Sequence, residues 1–238
     1  MKRILLTMAC AVAVGTVMAR NTVSANQEKA GYGTDKTQDG INNQTDGNWF
    51  VSVGGGAQIY FGDHDRQVEF GKRLAPALDI AAGRWFSPIL GARLMYSGLQ
   101  VKGATQKGKE LVHATGKDVP GKSGNGYWLE EQKFNMFNIH ADLMVNATNL
   151  VFGVNPQRVW DCSPYAGIGV AHVSDKPTTS KVSGNLGLLN SFHLTPALDL
   201  NLDLRTMFVG DSFDGEKGGR KGEAMLGATV GLTYKFGK

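Results

Sequence analysis

This sequence of 238 residues has few cysteines and, after its first residues, no long apolar run. Of its two cysteines, Cys10 lies in the N-terminal apolar stretch, so a mature chain that retains only Cys162 has no intramolecular disulfide. Beyond that stretch, no segment approaches the ~18 consecutive apolar residues that a membrane-spanning helix requires. If the chain crosses a membrane, it therefore does so with strands.

An excess of charge of one sign is also missing. The net charge of +4 includes Lys2, Arg3 and Arg20, which lie in the first 25 residues, and without these three the 25 basic residues become 22 against 21 acidic ones. A near-neutral chain without a basic stripe argues against a nucleic-acid partner.

The N-terminal residues predict an export signal. Lys2 and Arg3 precede an apolar run from Ile4 to Met18, and small residues allow cleavage after Ala19 or Ala25. We therefore assign residues 1–25 to a signal peptide. Residues 26–47 are polar and rich in Gly, Asn, Gln, Asp and Thr, which predicts a flexible arm. The folded domain is expected to cover residues 48–238.

Eight segments of this domain alternate apolar and polar residues. From Leu198 to Leu204 every even position is leucine, whereas the odd positions are Asp or Asn. The apolar row of the last segment ends in Tyr234 and Phe236, as is typical of a strand that contacts lipid and its interface. The predicted strands are Trp49 to Phe61, Leu74 to Phe86, Ile89 to Val101, Phe134 to Val145, Pro164 to Val173, Gly184 to Leu194, Ala197 to Val209 and Glu223 to Phe236.

The connections alternate in length. Ser87 to Pro88 and Thr195 to Pro196 are short, whereas the long polar connections are Gly62 to Arg73, Lys102 to Lys133, Ser174 to Ser183 and Gly210 to Gly222. Short turns on one side and long loops on the other are the pattern of outer-membrane barrels. The exception, Asn146 to Asp161, would lie in the periplasm with both termini. Because lipid offers no hydrogen-bond partners, we predict an all-β fold: a closed, eight-stranded antiparallel up-and-down transmembrane β-barrel.

Aromatic residues cluster near the ends of the predicted strands. Such residues favour the two membrane interfaces, where they form belts around a barrel. We assign to these belts Trp49, Tyr60, Phe61, Trp85, Phe86, Tyr96, Trp160, Tyr234 and Phe236.

The polar row of the strands should project into the barrel. The residues expected there are Asp79, Arg93, Asn138, His140, Asp142, Asp199, Asn201, Asp203, Arg205 and Lys235. Side chains can fill the bore of an eight-stranded barrel, and buried charges are costly unless they are paired. Two roles stay open for this lumen polar network: a plug that fixes strand register, or a gate whose ion pairs rearrange to pass small ions.

No catalytic, cofactor-binding or metal site is predicted. Gly116 to Ser123 matches the phosphate-loop pattern literally, but it lacks the strand before it and the helix after it. The five histidines show no metal-ligand spacing. A lipid-modifying enzyme that uses Asp63, His64 and Asp65, or His113, is the alternative from the enzyme class.

Four stretches carry a resemblance to a known family. They are FNIHADLMVNATNL from Phe134, RVWDCSPYAGIGVAH from Arg158, GLLNSFHLTPALDLNLDLR from Gly187 and GATVGLTYKFGK from Gly227. These resemble the N-terminal eight-stranded barrel of OmpA-family outer-membrane proteins, especially the branch found in anaerobes. Full-length members usually continue into a peptidoglycan-binding domain, for which this chain, ending at Lys238, has no counterpart.

The resemblance implies a structural protein of the Gram-negative outer membrane that contributes to envelope integrity and displays extracellular loops. It also implies contacts with outer-membrane lipid and lipopolysaccharide, and with the barrel-assembly machinery and periplasmic chaperones during biogenesis. The alternatives are a narrow porin or ion-conducting pore, the lipid-modifying enzyme, and a soluble lipocalin-like barrel whose apolar row would face inward.

Overall fold

A computed structural model describes residues 49–62, 64–106, 113–119, 129–215 and 222–236, so the predicted signal peptide and arm lie outside the described residues. The described residues form nine strands: β1 (Trp49–Phe61), β2 (Ala75–Trp85), β3 (Leu90–Gln106), β4 (Ala114–Asp118), β5 (Leu129–Val145), β6 (Trp160–Val173), β7 (Thr179–His193), β8 (Leu198–Gly210) and β9 (Gly222–Lys235). Two short helices, α1 (Phe70–Arg73) and α2 (Ala147–Phe152), and a 3-10 turn (Asp65–Gln67) lie in connections. No helix within these ranges is both long and apolar enough to cross a membrane.

Eight of the strands close into a ring. Each pairs antiparallel with the next in sequence, β3 pairs directly with β5, and β1 pairs with β9 from Phe50 opposite Lys235 to Phe61 opposite Ala224. The short strand β4 lies outside this ring and pairs with β5. The predicted fold class, an all-β eight-stranded antiparallel up-and-down barrel, is confirmed.

The strands are longer than predicted at the end of the barrel that carries the long connections. β3 continues to Gln106, β5 begins at Leu129, and Gln106 lies opposite Leu129 in an unbroken register. Most of the predicted 102–133 loop is thus strand or lies outside the described residues, and the turn between β6 and β7 shrinks to residues 174–178. Polar residues leave no apolar row in these extensions, so the alternation that reveals a membrane strand is lost there.

The apolar row faces outward. Leu204 is 42% exposed and Val230 is 55% exposed, whereas Asp203 and Arg205, the neighbours of Leu204, are only 5% and 6% exposed. Since successive side chains of a strand point to opposite faces, leucines lie on the outer surface and charges lie inside. The lipocalin-like alternative required the reverse and is wrong.

Outward aromatic residues form two levels. At the end with the short turns, hereafter the short-turn end, the exposed aromatic residues are Trp49, Phe86, Phe152, Trp160, Phe192, Tyr234 and Phe236. Towards the opposite, long-loop end, the rings of Tyr96 and Phe137 stack at 5.8 Å, and Phe208 is exposed. Two predicted belt members face elsewhere: Tyr60 is 1% exposed inside the barrel, and Trp85 packs against an interior cluster. The sequence pattern located these rings near strand ends but misassigned their faces.

Candidate functional site: the barrel interior

Apolar side chains cross the interior at two levels. The lower apolar cluster, near the short-turn end, consists of Phe50, Met144, Tyr165 and Leu189, with Trp85 packed against it. The upper apolar cluster, towards the long-loop end, consists of Tyr60, Val101, Phe134, Met136, Ala171, Val173, Met207, Val209, Phe213 and Met225. Phe213 comes from the connection after β8 and is fully buried, so this connection folds back into the mouth of the barrel.

Arg93 bridges two carboxylates between these clusters. Its Nε donates to Asp142 Oδ2 at 2.8 Å, and its Nη2 donates to Asp203 Oδ2 at 3.0 Å. The guanidinium lies 4.2 Å from the centre of the Tyr165 ring, and the Tyr165 hydroxyl donates to Asp203 Oδ1 at 2.7 Å. Charge-assisted bonds in a site closed to water are strong and directional. Arg93 therefore joins β3 to β5 on one side and, across the bore, to β8 on the other.

A second ion pair joins β8 to β2. Arg205 Nη1 donates to Asp79 Oδ2, and the hydroxyl of Thr229 donates to the same oxygen at 2.6 Å. Asn138 lies in a separate group, where its Nδ2 donates to Asn185 Oδ1 at 2.8 Å and its Oδ1 accepts from the Ser183 hydroxyl at 2.7 Å. Both groups connect strands that are not neighbours in the ring.

Ser97, His140 and Asp142 lie in the order found in serine hydrolases. Ser97 Oγ is 3.3 Å from His140 Nε2, and His140 Nδ1 is 2.7 Å from Asp142 Oδ1. In an enzyme this order activates a hydroxyl for attack on a substrate. Here Ser97 is 4% exposed, His140 is 1% exposed, and Asp142 is also bound by Arg93. The arrangement gives a substrate no access to the hydroxyl and instead ties β3 to β5.

Two further predicted residues, Asp199 and Lys235, lie apart from Arg93, at the short-turn end. Asp199 Oδ1 accepts from Lys235 Nζ at 2.6 Å and is 2.8 Å from His193 Nδ1. His193 Nε2 in turn lies 3.1 Å from Asp161 Oδ2, which links β6 to β7, β8 and β9. The structure thus divides the charged and histidine residues of the predicted set into a central group, Asp79, Arg93, His140, Asp142, Asp203 and Arg205, and an end group, Asp199 and Lys235. Of the two predicted asparagines, Asn138 belongs to the group with Asn185 and Ser183, and Asn201 Nδ2 donates to the Thr233 hydroxyl.

Several partners were not singled out from the sequence. Ser97 lies an even number of residues from Arg93 in β3, and Thr229 lies an even number from Lys235 in β9, so both face inward. The same alternation could have identified them. Asp161 lies before the predicted start of its strand, where no pattern marked it. Tyr165 looks apolar in the sequence, and only the structure shows its hydroxyl on Asp203.

The groups of the enzyme alternative are engaged in the long-loop connections. Asp65 is 1% exposed, and its carboxylate accepts from the backbone N–H of Gly62 at 2.6 Å and of Ala104 at 2.7 Å. Burial raises the pKa of Asp65 to about 6 against the lowering effect of these hydrogen bonds. The His113 ring lies 4.9 Å from Phe134, and burial lowers its pKa. Asp63 lies outside the described residues, within which no group of three His, Cys, Asp or Glu residues is arranged to hold a metal.

A closed ring with an apolar outer face, aromatic levels and buried charges defines the class: an outer-membrane β-barrel protein. The chain is 30% identical over 250 residues to outer membrane protein 40 of Porphyromonas gingivalis (strain ATCC BAA-308 / W83), across 100% of this chain and 59% of that relative. It is 22% identical over 253 residues to outer membrane protein 41 of the same strain, across 99% of this chain and 59% of that relative. These relatives confirm the resemblance to outer-membrane proteins and locate the chain in the cell outer membrane.

Among solved structures, the fold is similar to Neisserial surface protein A, with a TM-score of 0.49 and 13% identity over 79% of this chain and 97% of that one. No family model matches the sequence. The chain spans 59% of the length of the curated relatives it matches.

Proposed function

We propose that this barrel is a closed structural protein that contributes to the integrity of the outer membrane and displays its long loops outside the cell. The observation that carries this proposal is the filled interior, in which two apolar clusters lie on either side of the Arg93 ion pairs. Apolar layers packed around paired charges exclude a continuous column of water, and water is what a conducting pore requires.

The energetic cost of opening supports a structural role over a gate. The side chains of both carboxylates that bind Arg93 are at most 7% exposed. Moving either carboxylate away would therefore leave an unpaired charge in an interior closed to water. Breaking a buried pair by removing one partner typically costs about 3–5 kcal/mol. A gate would also have to displace Phe134 and Phe213, whose rings lie 6.2 Å apart in the upper apolar cluster.

The proposed orientation follows the lengths of the connections. Outer-membrane barrels have short periplasmic turns and longer extracellular loops. The short-turn end, with residues 86–89 and 194–197, would then face the periplasm, and the connections after β1, β3, β6 and β8 would face the medium. In this orientation the barrel contacts outer-membrane lipid and lipopolysaccharide, and the barrel-assembly machinery and periplasmic chaperones handle it during biogenesis.

Two measurements test the proposal. Purified protein in planar bilayers should give no stepwise conductance, whereas a narrow pore would give unitary steps. Cells that lack the protein should become more sensitive to detergent and to large antibiotics, and complementation with wild type should restore resistance. Unitary conductance from the wild type, or unchanged sensitivity in the deletion strain, would contradict the proposal.

A further inference from the structure

The end of α2 and the residues just after it carry exposed apolar side chains outside the strands of the barrel. Val151 is 60% exposed, Phe152 is 74% exposed and Val154 is 55% exposed, although all three belong to the connection between β5 and β6. A single exposed apolar side chain is ordinary on a protein surface, whereas a contiguous group indicates a contact with a partner or a membrane. These three residues are called the α2 apolar patch below.

The sequence around this patch is free of charge. Residues 147–157 contain no Asp, Glu, Lys, Arg or His, although 19% of the whole chain is charged. The next residue, Arg158, has a side chain that is only 16% exposed and donates hydrogen bonds to Asn149 and Asp161. Connections that lie in water are normally polar. A neutral stretch with exposed valine and phenylalanine is therefore unlike a solvated turn.

Hydrogen bonds hold α2 in the wall of the barrel, where a longer β5 would otherwise lie. Because β5 ends at Val145, the first residues of β6 have no strand partner on that side. The Thr148 hydroxyl accepts from the backbone N–H of Cys162 at 2.6 Å and so occupies this free edge of β6. Towards β3, Asn149 Nδ2 donates to the Pro88 carbonyl oxygen at 2.8 Å. α2 thus bridges the gap between the turn before β3 and the start of β6.

The neighbours of α2 on both sides belong to the aromatic level at the short-turn end. Phe86 lies in the turn before β3, Trp160 begins β6, and both are exposed. β5 contributes no aromatic ring to this level, and Phe152 of α2 supplies one between these neighbours. Aromatic levels of a barrel lie where the hydrocarbon of the membrane meets the lipid headgroups. The α2 apolar patch is therefore continuous with a surface that lipid covers.

We propose that the α2 apolar patch inserts into the phospholipid interface at the short-turn end, so that the β5–β6 connection is a membrane contact. An apolar face that lies in such an interface is buried to a depth of roughly 5–10 Å, between the headgroups and the first acyl carbons. Under the orientation proposed above, this lipid is the inner leaflet of the outer membrane. The insertion itself depends neither on that orientation nor on whether the barrel is closed.

Spin labels measure the depth of the patch directly. Residues 26–238 with Cys162→Ser contain no thiol, so single cysteines can be labelled in Phe152→Cys, in Phe86→Cys at the aromatic level, in Leu204→Cys at mid-bilayer and in Glu69→Cys, whose native side chain is 80% exposed. Each protein is refolded into phosphatidylcholine vesicles, and power saturation is measured with oxygen and with a water-soluble nickel chelate.

The label at position 152 should match the depth of the label at position 86, between the labels at 204 and 69. Accessibility to the nickel chelate equal to that at position 69 would overturn the proposal and leave a periplasmic protein or a second copy of this chain as the partner of the patch. Val154→Cys covers the case in which Phe152→Cys fails to refold, with the same two outcomes.

Two neutral substitutions measure what the lipid contact contributes. Because Phe152 is mostly exposed, Phe152→Ser removes few contacts within the protein, and such surface changes normally have little effect on stability. If lipid covers the ring, the urea midpoint of Phe152→Ser in phosphatidylcholine vesicles should nevertheless fall. Gln157→Ser, at an exposed position of the same connection, is the matched control and should keep the wild-type midpoint. Equal midpoints for the two variants would contradict the lipid contact.

Discussion

At the scale of the residue, Leu204 and Asp203 show how one peptide unit separates two environments. Leu204 lies at the middle of β8 and faces outward, whereas Asp203 accepts hydrogen bonds from Arg93 and Tyr165 inside. The pleat of the strand alone produces this separation. A substitution at either position therefore reports on a single face of the barrel.

The depth of an outward residue should set the cost of a charge. Leu204→Arg, near the centre of the bilayer, should destabilise the refolded barrel by roughly 2–4 kcal/mol, whereas an interfacial arginine costs about 0–1 kcal/mol. Leu200→Arg is the matched variant, because Leu200 lies opposite Phe192 in the aromatic level at the short-turn end. Urea titrations in phospholipid vesicles would measure both. Equal costs at the two positions would contradict the assigned membrane boundary.

Asp65 should make stability depend on pH. Burial raises the pKa of Asp65 from 3.8 to about 6. Between these two pH values the Asp65 carboxyl is therefore protonated in the folded protein and ionised in the unfolded chain. Stability from Asp65 is therefore complete below pH 4 and is lost as the pH rises through 6. The unfolding free energy of the wild type minus that of Asp65→Asn is the quantity to measure. We expect it to be about 1 kcal/mol larger at pH 5 than at pH 7.5. A difference that is flat, or that grows with pH, would refute the assignment.

At the scale of the element, the connection between β5 and β6 is held by side-chain hydrogen bonds, most of them from Arg158. Arg158 donates to Asn149 Oδ1 at 2.7 Å, to the Gly153 carbonyl oxygen at 2.8 Å and to Asp161 at 3.3 Å. Asn146 caps α2 by accepting from the backbone N–H of Asn149 at 2.8 Å. These bonds order a segment that is longer than an ordinary short turn.

Removing Arg158 should loosen this segment. A hydrogen bond to a charged group contributes about 1.5–3 kcal/mol when buried and less when it is partly exposed, as here. In Arg158→Ala, hydrogen exchange at the Leu150 amide, which bonds to the Asn146 carbonyl oxygen in α2, should therefore accelerate roughly 5- to 30-fold. Gln157→Ala, at an exposed neighbouring position, is the control and should exchange like wild type. Unchanged protection in Arg158→Ala would show that α2 is held by its packing alone.

The elements differ in how well the sequence predicts them. β1 and β8 match their predicted bounds within one residue, because apolar and polar residues alternate along nearly their whole length. The last residues of β3 and the first of β5 were assigned to a loop, since a polar ribbon carries no such alternation. In the interior, the alternation of inward and outward positions along β3 and β8 placed both Arg93 and Asp203 on the inner face of the barrel. Their pairing across the bore could not be predicted, because it depends on the register of eight strands and on which rotamers fill the space.

At the scale of the whole molecule, ring closure leaves every ring strand paired on both sides. Such a sheet has no edge at which detergent or water can begin to separate the strands. The folded protein should therefore migrate differently in SDS gels when it is left unboiled than after boiling. A single mobility under both conditions would contradict closure. Protein refolded without lipid or detergent is the control for the unfolded position.

The pairing of β1 with β9 also has a consequence for synthesis. Phe50 and Lys235 stand opposite each other across the seam, so residues made first in the barrel must wait for residues made last. Contacts between such distant segments form slowly, because the chain between them must first be brought into order. Until then both terminal strands carry unpaired backbone groups that can join another chain. The seam thus leaves the backbone groups of both terminal strands unpaired until the last strand of the barrel pairs with the first.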